Sequence, residues 1–308
     1  MDDAVFGSCS AVTEGNGRGL RKEGIRMQFS FSKWHGCGND FVLVDGSKYA
    51  FPDNAQAAIA VCDRHFGIGA DGLVLLLPSQ EADFEMRIFN SDGSEAEMCG
   101  NVTRCMARFA YENGLTEKKE MTFKTKAGLI RPKLLDDGQV RVDMGEPKLA
   151  AQDIPVSEGG EQIIKKTLHT EHGDFAVTCV SMGNPHAVIF VDNAESVPLE
   201  LWGPGLETHA FFPRKTNVEF VQVVNRQALR MRVWERGAGV TLACGTGSCA
   251  TVTAAVLNGL TERRCKVALD GGVLEVEWSE EDNHVYLTGP ATEVFRGTCR
   301  LRGQEAIQ

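Results

Sequence analysis

The fold is decided by two stretches of sequence, NSDGSEAEMCGNVTRCMARFAYENGL at 90–115 and ERGAGVTLACGTGSCATVTAAVLNGL at 235–260. They can be laid over each other without a gap, so that Cys99 falls on Cys244 and Gly100 on Gly245. The Asn-Gly-Leu at 113–115 then falls on the Asn-Gly-Leu at 258–260. Because these matches lie at the beginning and the end of a segment, they indicate an internal duplication with one similar domain in each half.

Each stretch predicts one helix. After Cys99, the apolar residues Val102, Cys105, Met106 and Phe109 recur at helical spacing, and the pattern ends at a typical Asn-Gly C-cap. After Cys244, the segment 250–257 is rich in alanine and valine and ends in the same way, which predicts a buried helix. The rest of each half consists of short β-like runs, so one helix in each half of an α/β or α+β fold is expected.

Composition excludes several classes of protein. The formal net charge of -10 and the lack of a Lys/Arg run argue against a nucleic-acid partner. No apolar stretch reaches the roughly 18 to 20 residues that span a bilayer, and no signal peptide is found, which predicts a cytoplasmic protein without membrane contact. The ten cysteines form no CxxC pair, so we expect reduced thiols and no metal.

Residues 1–26 differ from the remainder of the chain. They contain glycines and mixed charges without a hydrophobic period, which predicts a disordered extension. The pattern changes abruptly at Met27, which raises the hypothesis that Met27 is the natural start.

The two Cys-Gly steps predict proton-transfer chemistry. A cysteine directly before a helix lies beside unpaired backbone N–H groups and the positive end of the helix dipole, which favours the thiolate and lowers the thiol pKa. The same N–H groups can bind a carboxylate. Two such thiols on opposite sides of a cleft, one ionised and one protonated, can remove and return a proton at a stereocentre. Cys99 and Cys244 are therefore predicted as a two-base pair. The other cysteines are interpreted as structural.

Six motifs carry a resemblance to a known family. They are KWHGCGNDFVLVD, RHFGIGADG, RIFNSDGSEAEMCGN, SMGNPHAVIF, TNVEF and WERGAGVTLACGTGSCA. Together they resemble diaminopimelate epimerase over nearly the whole chain from Met27 to about residue 297. The resemblance implies conversion of LL-2,6-diaminopimelate to the meso isomer, on the lysine and peptidoglycan pathway, without metal or coenzyme. It also implies a homodimer.

The resemblance further implies a fold and a set of domains. It predicts two pseudo-symmetric α/β (α+β) domains, each a curved, mostly antiparallel sheet around a central helix, with the active site in the cleft between them. The N-terminal domain would comprise residues 27–143 and 289–308 and carry Cys99. The C-terminal domain would comprise residues 144–288 and carry Cys244.

Site residues follow from the matched motifs. Cys99 and Cys244 resemble the two catalytic acid/base residues, and His186 is placed near the thiols without direct contact to the substrate. The resemblance implies that the substrate is bound by Asn39, Asn90, Gly100, Asn101, Asn184, Asn217, Glu235, Arg236, Gly245 and Thr246. Amides and an arginine fork suit a zwitterion with two amines and two carboxylates.

Two positions depart from the family pattern. Val102 stands where the family commonly has glycine, which a helical backbone should tolerate. Gly72 stands where some members have glutamine, so a contact to the substrate is expected to be missing.

Three alternatives stay open on the sequence. A proline or hydroxyproline racemase also uses paired cysteines on a related fold, although Arg236 and the asparagines suit a second polar terminus better. A thiol redox or metal-binding protein would predict reversible oxidation without proton exchange on amino acids. A non-catalytic binding module of this fold would not need either cysteine.

Overall fold

The computed structural model describes residues 27–301, so the predicted disorder of residues 1–26 and the last seven residues lie outside it. Four α-helices are α1 (Asn54–Cys62), α2 (Gly100–Glu112), α3 (Leu199–Glu207) and α4 (Gly245–Leu257). The strands are β1 (Met27–Gly36), β2 (Asn39–Asp45), β3 (Gly72–Pro78), β4 (Phe84–Asn90), β5 (Glu95–Ala96), β6 (Phe123–Thr125), β7 (Gly128–Ile130), β8 (Pro132–Leu134), β9 (Val140–Asp143), β10 (Lys166–Thr170), β11 (Gly173–Ser181), β12 (Pro185–Phe190), β13 (Asn217–Asn225), β14 (Ala228–Glu235), β15 (Gly239–Val240), β16 (Arg264–Leu269), β17 (Gly272–Trp278), β18 (Val285–Gly289) and β19 (Thr292–Leu301).

The strands form two mixed, mostly antiparallel sheets. The first has the order β19-β1-β2-β3-β4-β6-β7, and the second has the order β10-β11-β12-β13-β14-β16-β17-β18-β9-β8. Parallel pairs occur at matching places, β2 with β3 and β4 with β6 in the first sheet, β12 with β13 and β14 with β16 in the second. The predicted fold class is confirmed, and the repeated strand order agrees with the duplication read from the sequence.

Helices α2 and α4 match in length and in both ends. Each has 13 residues and begins directly after a cysteine with extended backbone, Cys99 or Cys244. Each ends at an asparagine followed by a glycine with positive φ, Gly114 or Gly259, a conformation that costs glycine little. The Asn-Gly signals in the sequence therefore marked both helix ends correctly. Val102 lies in α2 and is fully buried, so valine is tolerated there as predicted.

Helix α2 packs against the first sheet and against β8 and β9, and helix α4 packs against the second sheet. The core around α2 includes Trp34, Leu43 and Phe123, and the core around α4 includes Met231, Val267 and Leu274. Burying these apolar side chains is the main term that stabilises each half.

The expectation of one helix in each half is wrong, because α1 and α3 lie on the outer faces of the sheets. α1 is short, and its first turn is capped by the Asp53 side chain, which accepts from the Gln56 backbone N–H at 3.1 Å. α3 contains Trp-Gly-Pro-Gly, a combination that favours turns in sequence-based reasoning. Burial of Leu199 and Leu206 against the second sheet outweighs that preference.

The two halves exchange strands at their junction. β9 pairs antiparallel with β18, after which the chain from β18 continues into β19 and pairs with β1 of the first sheet. β8 and β9 thus belong to the second sheet by hydrogen bonding, while Leu134, Val140 and Val142 pack into the core around α2. The domain division predicted at residues 143/144 and 288/289 falls at the end of β9 and before the last residue of β18, and it stays a prediction.

A second contact between the halves joins two turns. The β1–β2 turn carries Cys37, which is buried with φ 54 and packs into the core of the other half. A Cβ at Gly271, in the β16–β17 turn, would lie 1.9 Å from the Cys37 carbonyl oxygen. Only glycine therefore allows this close approach of backbone to backbone.

The described residues include no helix with the length and apolar character needed to cross a membrane.

We expect Gly271→Ala to destabilise the protein by about 1–3 kcal/mol, because the added methyl group meets backbone that cannot move without separating the two turns. Urea unfolding of the variant and the wild type measures the difference. Gly205→Ala is the matched control, since Gly205 lies in α3 with nothing near its missing Cβ and alanine favours a helix by about 0.5–1 kcal/mol. Equal stability of Gly271→Ala and wild type would contradict the proposed constraint.

Candidate active site

The two Cys-Gly turns converge at the junction of the halves. A Cβ at Gly100 and a Cβ at Gly245 would each lie 3.4 Å from the same Leu287 methyl group, which β18 places between the two helix starts. A Cβ at Gly245 would also lie 4.0 Å from Asn101 Oδ1 on the opposite helix. The N-termini of α2 and α4 therefore point into one space between the halves.

This space is a cavity of about 280 Å³. Its walls contain both predicted catalytic cysteines and seven of the predicted substrate residues, namely Asn39, Cys99, Gly100, Asn101, Asn184, Glu235, Cys244, Gly245 and Thr246. Residues that the sequence did not single out complete the wall, namely Glu97, Met98, Ala127, Met182, Gly183 and Ala243. The volume suits a small polar molecule.

The thiol of Cys244 lies in the first turn of α4. Its Sγ accepts from the Gly247 backbone N–H at 3.3 Å and lies 3.6 Å from Thr246 Oγ1. A side chain at Gly247 would approach both this sulfur and Glu219 Oε1, so glycine is needed there. The helix start thus supplies a donor to the sulfur, as the sequence predicted.

The thiol of Cys99 lies in the equivalent turn of α2. Its Sγ is 3.9 Å from Asn39 Oδ1, and Asn101 Nδ2 donates to the same oxygen at 3.1 Å. The backbone N–H groups of Asn101 and Val102 donate hydrogen bonds to the sulfur, and these hydrogen bonds lower the pKa of the Cys99 thiol.

Burial nevertheless raises the pKa of both thiols. Desolvation is the largest cause for Cys99 and for Cys244, and it outweighs the backbone donors. The pKa of Cys244 is raised further by two nearby carboxylates, Glu235 and Glu219. The sequence-based expectation of lowered thiol pKa values is therefore wrong, because it took account of the helix dipole and not of the depth of the cleft.

Glu235 lies beside Cys244. Burial raises the pKa of its carboxyl group, while hydrogen bonds from Thr241 and Cys244 lower it. The hydroxyl of Thr241, the residue after β15, donates to Glu235 Oε1. Glu235 therefore lies in the cavity wall beside the thiol.

His186 is fully buried and connects the cavity wall to a second carboxylate. Its Nε2 lies 3.0 Å from Asn184 Oδ1, and its Nδ1 lies 2.6 Å from Glu219 Oε1. Asn184 Nδ2 in turn donates to Thr246 Oγ1 at 3.3 Å. His186 thus lies behind the cavity wall and holds Asn184, while its predicted role near the thiols stays a prediction. Glu219 was not singled out from the sequence, although it lies in the quoted motif TNVEF.

Three predicted substrate residues do not line the cavity. Asn90 is exposed and donates to Ser94 Oγ at 2.9 Å. Asn217 is buried, where its side chain donates to the Pro185 carbonyl and accepts from the Arg236 backbone N–H at 2.9 Å. The Arg236 side chain is exposed and donates to the Arg214 carbonyl at 3.3 Å. Their predicted contacts with substrate stay predictions.

Hydrogen bonds and ion pairs among charged side chains fix the orientation of the Asn39 side chain. Its Nδ2 donates to Asp71 Oδ2 at 2.7 Å, and Arg64 bridges Asp71 and Asp40 at 2.8 and 2.9 Å. The buried ammonium of Lys33 pairs with Asp40 at 2.7 Å. Asp71 lies in the motif RHFGIGADG and was not identified from the sequence. Gly72 follows it at the start of β3, where a Cβ would lie 2.9 Å from the Phe89 carbonyl oxygen.

All nine cysteines in the described part of the chain are free thiols, Cys99 and Cys244 included. Across residues 27–301, no three His, Cys, Asp or Glu side chains are grouped so that they could hold a metal ion.

Comparison with known proteins places this arrangement in a family. The sequence model of the family described as diaminopimelate epimerase matches residues 31–150 and 178–294. The chain is 54% identical over 282 residues to diaminopimelate epimerase of Synechocystis sp., covering 89% of this chain and 100% of the relative. It is 53% identical over 276 residues to diaminopimelate epimerase of Moorella thermoacetica, covering 88% and 99%.

Solved structures share the fold at low identity. A phenazine biosynthesis protein of the PhzF family from Bacillus anthracis has a TM-score of 0.64 at 15% identity, covering 89% of this chain and 99% of that chain. A hydroxyproline epimerase from Agrobacterium vitis, bound to trans-4-hydroxy-L-proline, has a TM-score of 0.63 at 17% identity, covering 91% and 93%. These neighbours support the two-domain fold alone. The matched motifs and the identity of more than half to full-length relatives go further, and the chain belongs to the diaminopimelate epimerase family.

Proposed function

We propose that the protein is an isomerase that interconverts LL-2,6-diaminopimelate and meso-2,6-diaminopimelate, and so serves lysine and peptidoglycan precursor synthesis. The observation that carries the proposal is the convergence of two Cys-Gly helix starts on one cavity. A thiol on each side of a substrate carbon can take a proton from one face and deliver one to the other. Relatives that carry this name are more than half identical over their full length.

The reacting carboxylate would be held by the helix starts. Gly100 and Asn101 on α2 and Gly245 and Thr246 on α4 line the cavity and present backbone N–H groups. Such groups bind anions and stabilise the negative charge that develops on the carboxylate oxygens as the α-proton leaves. This stabilisation would take the place of an electron-sink coenzyme, so we propose a reaction without pyridoxal phosphate.

Cys99 and Cys244 would exchange the roles of base and acid with the direction of reaction. When the Cys99 thiolate removes the proton from one face, the Cys244 thiol donates a proton to the other, and the reverse reaction exchanges them. Glu235, which lies beside Cys244 in the cavity wall, would exchange a proton with that thiol. Glu219 and His186 would hold Asn184 in position against the substrate.

The experiment that tests the function is incubation of reduced protein with LL-2,6-diaminopimelate in D₂O, without added pyridoxal phosphate or metal. Nuclear magnetic resonance follows deuterium at the α-carbons, and chiral chromatography follows the meso isomer. Deuterium entry together with the meso isomer is expected. Exchange on L-proline without exchange on diaminopimelate would instead support a racemase, and inertness toward both would refute the proposal.

We expect Cys99→Ser and Cys244→Ser each to lower the epimerisation rate by at least about 100-fold, because a serine hydroxyl is far less acidic than a thiol. Cys299→Ser is the matched control, since Cys299 is a half-buried thiol on β19 outside the cavity, and it should keep the wild-type rate. Full activity in either cavity variant would exclude the two-thiol mechanism.

The pH dependence of the rate follows from the raised thiol pKa values. The reaction needs one thiolate and one thiol, and burial delays ionisation of both, with the carboxylates delaying Cys244 further. Because both thiols ionise late, we expect kcat/KM to rise with pH from about pH 6 to beyond the ordinary thiol pKa of about 8.5, and to fall only when the second thiol ionises. Binding of meso-diaminopimelate to Cys99→Ser over the same range controls for titration of the substrate. A rate that falls across this range would contradict the assignment.

A further inference from the structure

Glu207 is a buried carboxylate at the last residue of α3, and the proposed mechanism does not use it. Its exposure is 6%. A negative charge at the C-terminal end of a helix opposes the helix dipole, and burial of a charge costs free energy unless hydrogen bonds compensate for it. The carboxylate therefore depends on its hydrogen-bond partners for stability at this position.

Three donors surround the Glu207 carboxylate. Oε2 accepts from Trp234 Nε1 at 2.7 Å, and Oε1 accepts from the Gly237 backbone N–H at 3.2 Å. Lys215 Nζ donates to Oε1 at 3.3 Å, and the Lys215 side chain is more than half exposed. Burial raises the pKa of the Glu207 carboxyl group, but the hydrogen bonds from these donors together bring it below its ordinary value. The charged carboxylate is thus the form that fits its surroundings.

Two of these donors lie on either side of a pair of predicted substrate residues. Glu235 ends β14 and Arg236 follows it in the β14–β15 turn, residues 236–238. Trp234 precedes this pair, and Gly237 comes after it. The Arg236 backbone N–H donates to Asn217 Oδ1 at 2.9 Å. The backbone that carries the pair is therefore held by side chains from α3 and from the first residue of β13.

The Trp234 ring packs on the same helix. A Cβ at Gly203 would lie 2.4 Å from Trp234 Cδ2, so only glycine allows the ring to lie this close to α3. Gly203 and Glu207 are four residues apart and therefore lie on one face of the helix. That face supplies both the surface under the ring and the acceptor for its N–H group. The glycine that weakens α3 as a helix is thus the residue that makes room for Trp234.

The segment between α3 and β13 completes this arrangement. The Thr216 backbone N–H donates to the Glu207 carbonyl at 3.2 Å, and the Arg236 guanidinium donates to the Arg214 carbonyl at 3.3 Å. Glu207 thereby lies where α3, this segment and the β14–β15 turn meet. Glu235, directly before the turn, lines the cavity.

We propose that Glu207 is a positioning residue that holds Glu235 and Arg236 in place for substrate binding, through its hydrogen bonds to the residues on either side of them. The proposal deepens the proposed function and rests on it for its catalytic meaning. Glu207 does not line the cavity, so its effect on the substrate passes through these two residues. Because a displacement of about 1 Å in an active site can cost up to about 100-fold in rate, such a support bears directly on catalysis.

A purely structural contribution of Glu207 would act differently on the kinetics. A variant that is partly unfolded loses kcat in proportion to the unfolded fraction, whereas its folded molecules keep the wild-type KM. Displacement of Glu235 and Arg236 instead weakens substrate binding in every folded molecule and raises KM. The value of KM therefore separates a positioning role from a structural one.

The test compares Glu207→Gln with the wild type in two measurements. Glutamine has the same size but only one acceptor oxygen, whereas Trp234 and Gly237 bind to different oxygens of the carboxylate. Hydrogen–deuterium exchange, followed by mass spectrometry, is expected to become about tenfold faster at residues 236–240 and to stay unchanged in β13. In epimerisation of LL-2,6-diaminopimelate, KM is expected to rise about tenfold. A fall in kcat is expected with it, because Glu235 also lies beside Cys244.

Two further variants make the result specific. Glu200→Gln is the matched control, since Glu200 is exposed in the first turn of α3 without an ion pair within residues 27–301, and it should keep the wild-type KM. Trp234→Phe removes the indole donor and keeps a ring over Gly203. Added to Trp234→Phe, Glu207→Gln is expected to raise KM by less than about threefold, because its amide oxygen is then free to accept from Gly237.

If Glu207→Gln fails to fold, as thermal melting would reveal, Trp234→Phe alone is tested, and its KM and its exchange at residues 236–240 should both rise about threefold. In the variant tested, unchanged exchange at these residues would overturn the proposal, and so would an unchanged KM or an equal effect of Glu200→Gln. Exchange is measured without substrate. Lack of turnover in the wild type would therefore refute the proposed function, while the exchange result still decides whether Glu207 holds the turn.

Discussion

The antiparallel ladder between β9 and β18 is the constraint on which the rest of the structure depends. It ties β9, whose Val140 and Val142 pack into the core around α2, to the second sheet, and it brings Leu287 between the glycines that begin α2 and α4. A shift of one residue in the register of this ladder would turn every side chain of the shifted strand to the other face of the sheet. The separation of the two helix starts, and with it the separation of the two thiols, is therefore set by hydrogen-bond register rather than by flexible loops.

Symmetry at the level of the backbone is combined with asymmetry at the level of charge. In both halves a cysteine and a glycine lie at the start of the helix. In both, the residue after the glycine is hydrogen-bonded to an asparagine from elsewhere in the chain, Asn101 to Asn39 and Thr246 to Asn184. Behind these pairs the groups differ, since Asp71 holds Asn39 and His186 holds Asn184. A duplicated fold supplies two opposed thiols, and divergence of the residues behind them can make one thiol more acidic than the other.

Much of the fold and of the candidate site could be predicted from the sequence, because the sequence signals for them are local. The Cys-Gly and Asn-Gly steps mark the ends of α2 and α4, and the alignment of the two stretches indicates two similar halves. Longer-range features were not accessible. Asp71 and Glu219 act through contacts with residues far along the chain, and α3 forms because Leu199 and Leu206 pack against a sheet. The placement of Asn90, Asn217 and Arg236 away from the cavity wall likewise depends on how strands end, which motif spacing does not specify.

The raised thiol pKa values bear on how such a site can work. A base that is too acidic is a poor proton acceptor, and the carbon acid beside an ammonium and a carboxylate is very weak. Burial keeps both sulfurs basic, and the backbone donors of Asn101 and Val102 offset part of the rise in the Cys99 pKa. The same burial excludes water from the developing negative charge, so the helix N–H groups act on it at low dielectric. The depth of the cleft therefore sets the strength of the base through the thiol pKa. In a shallower cleft the thiol pKa would be lower, so more thiolate would be present, but it would be a weaker base.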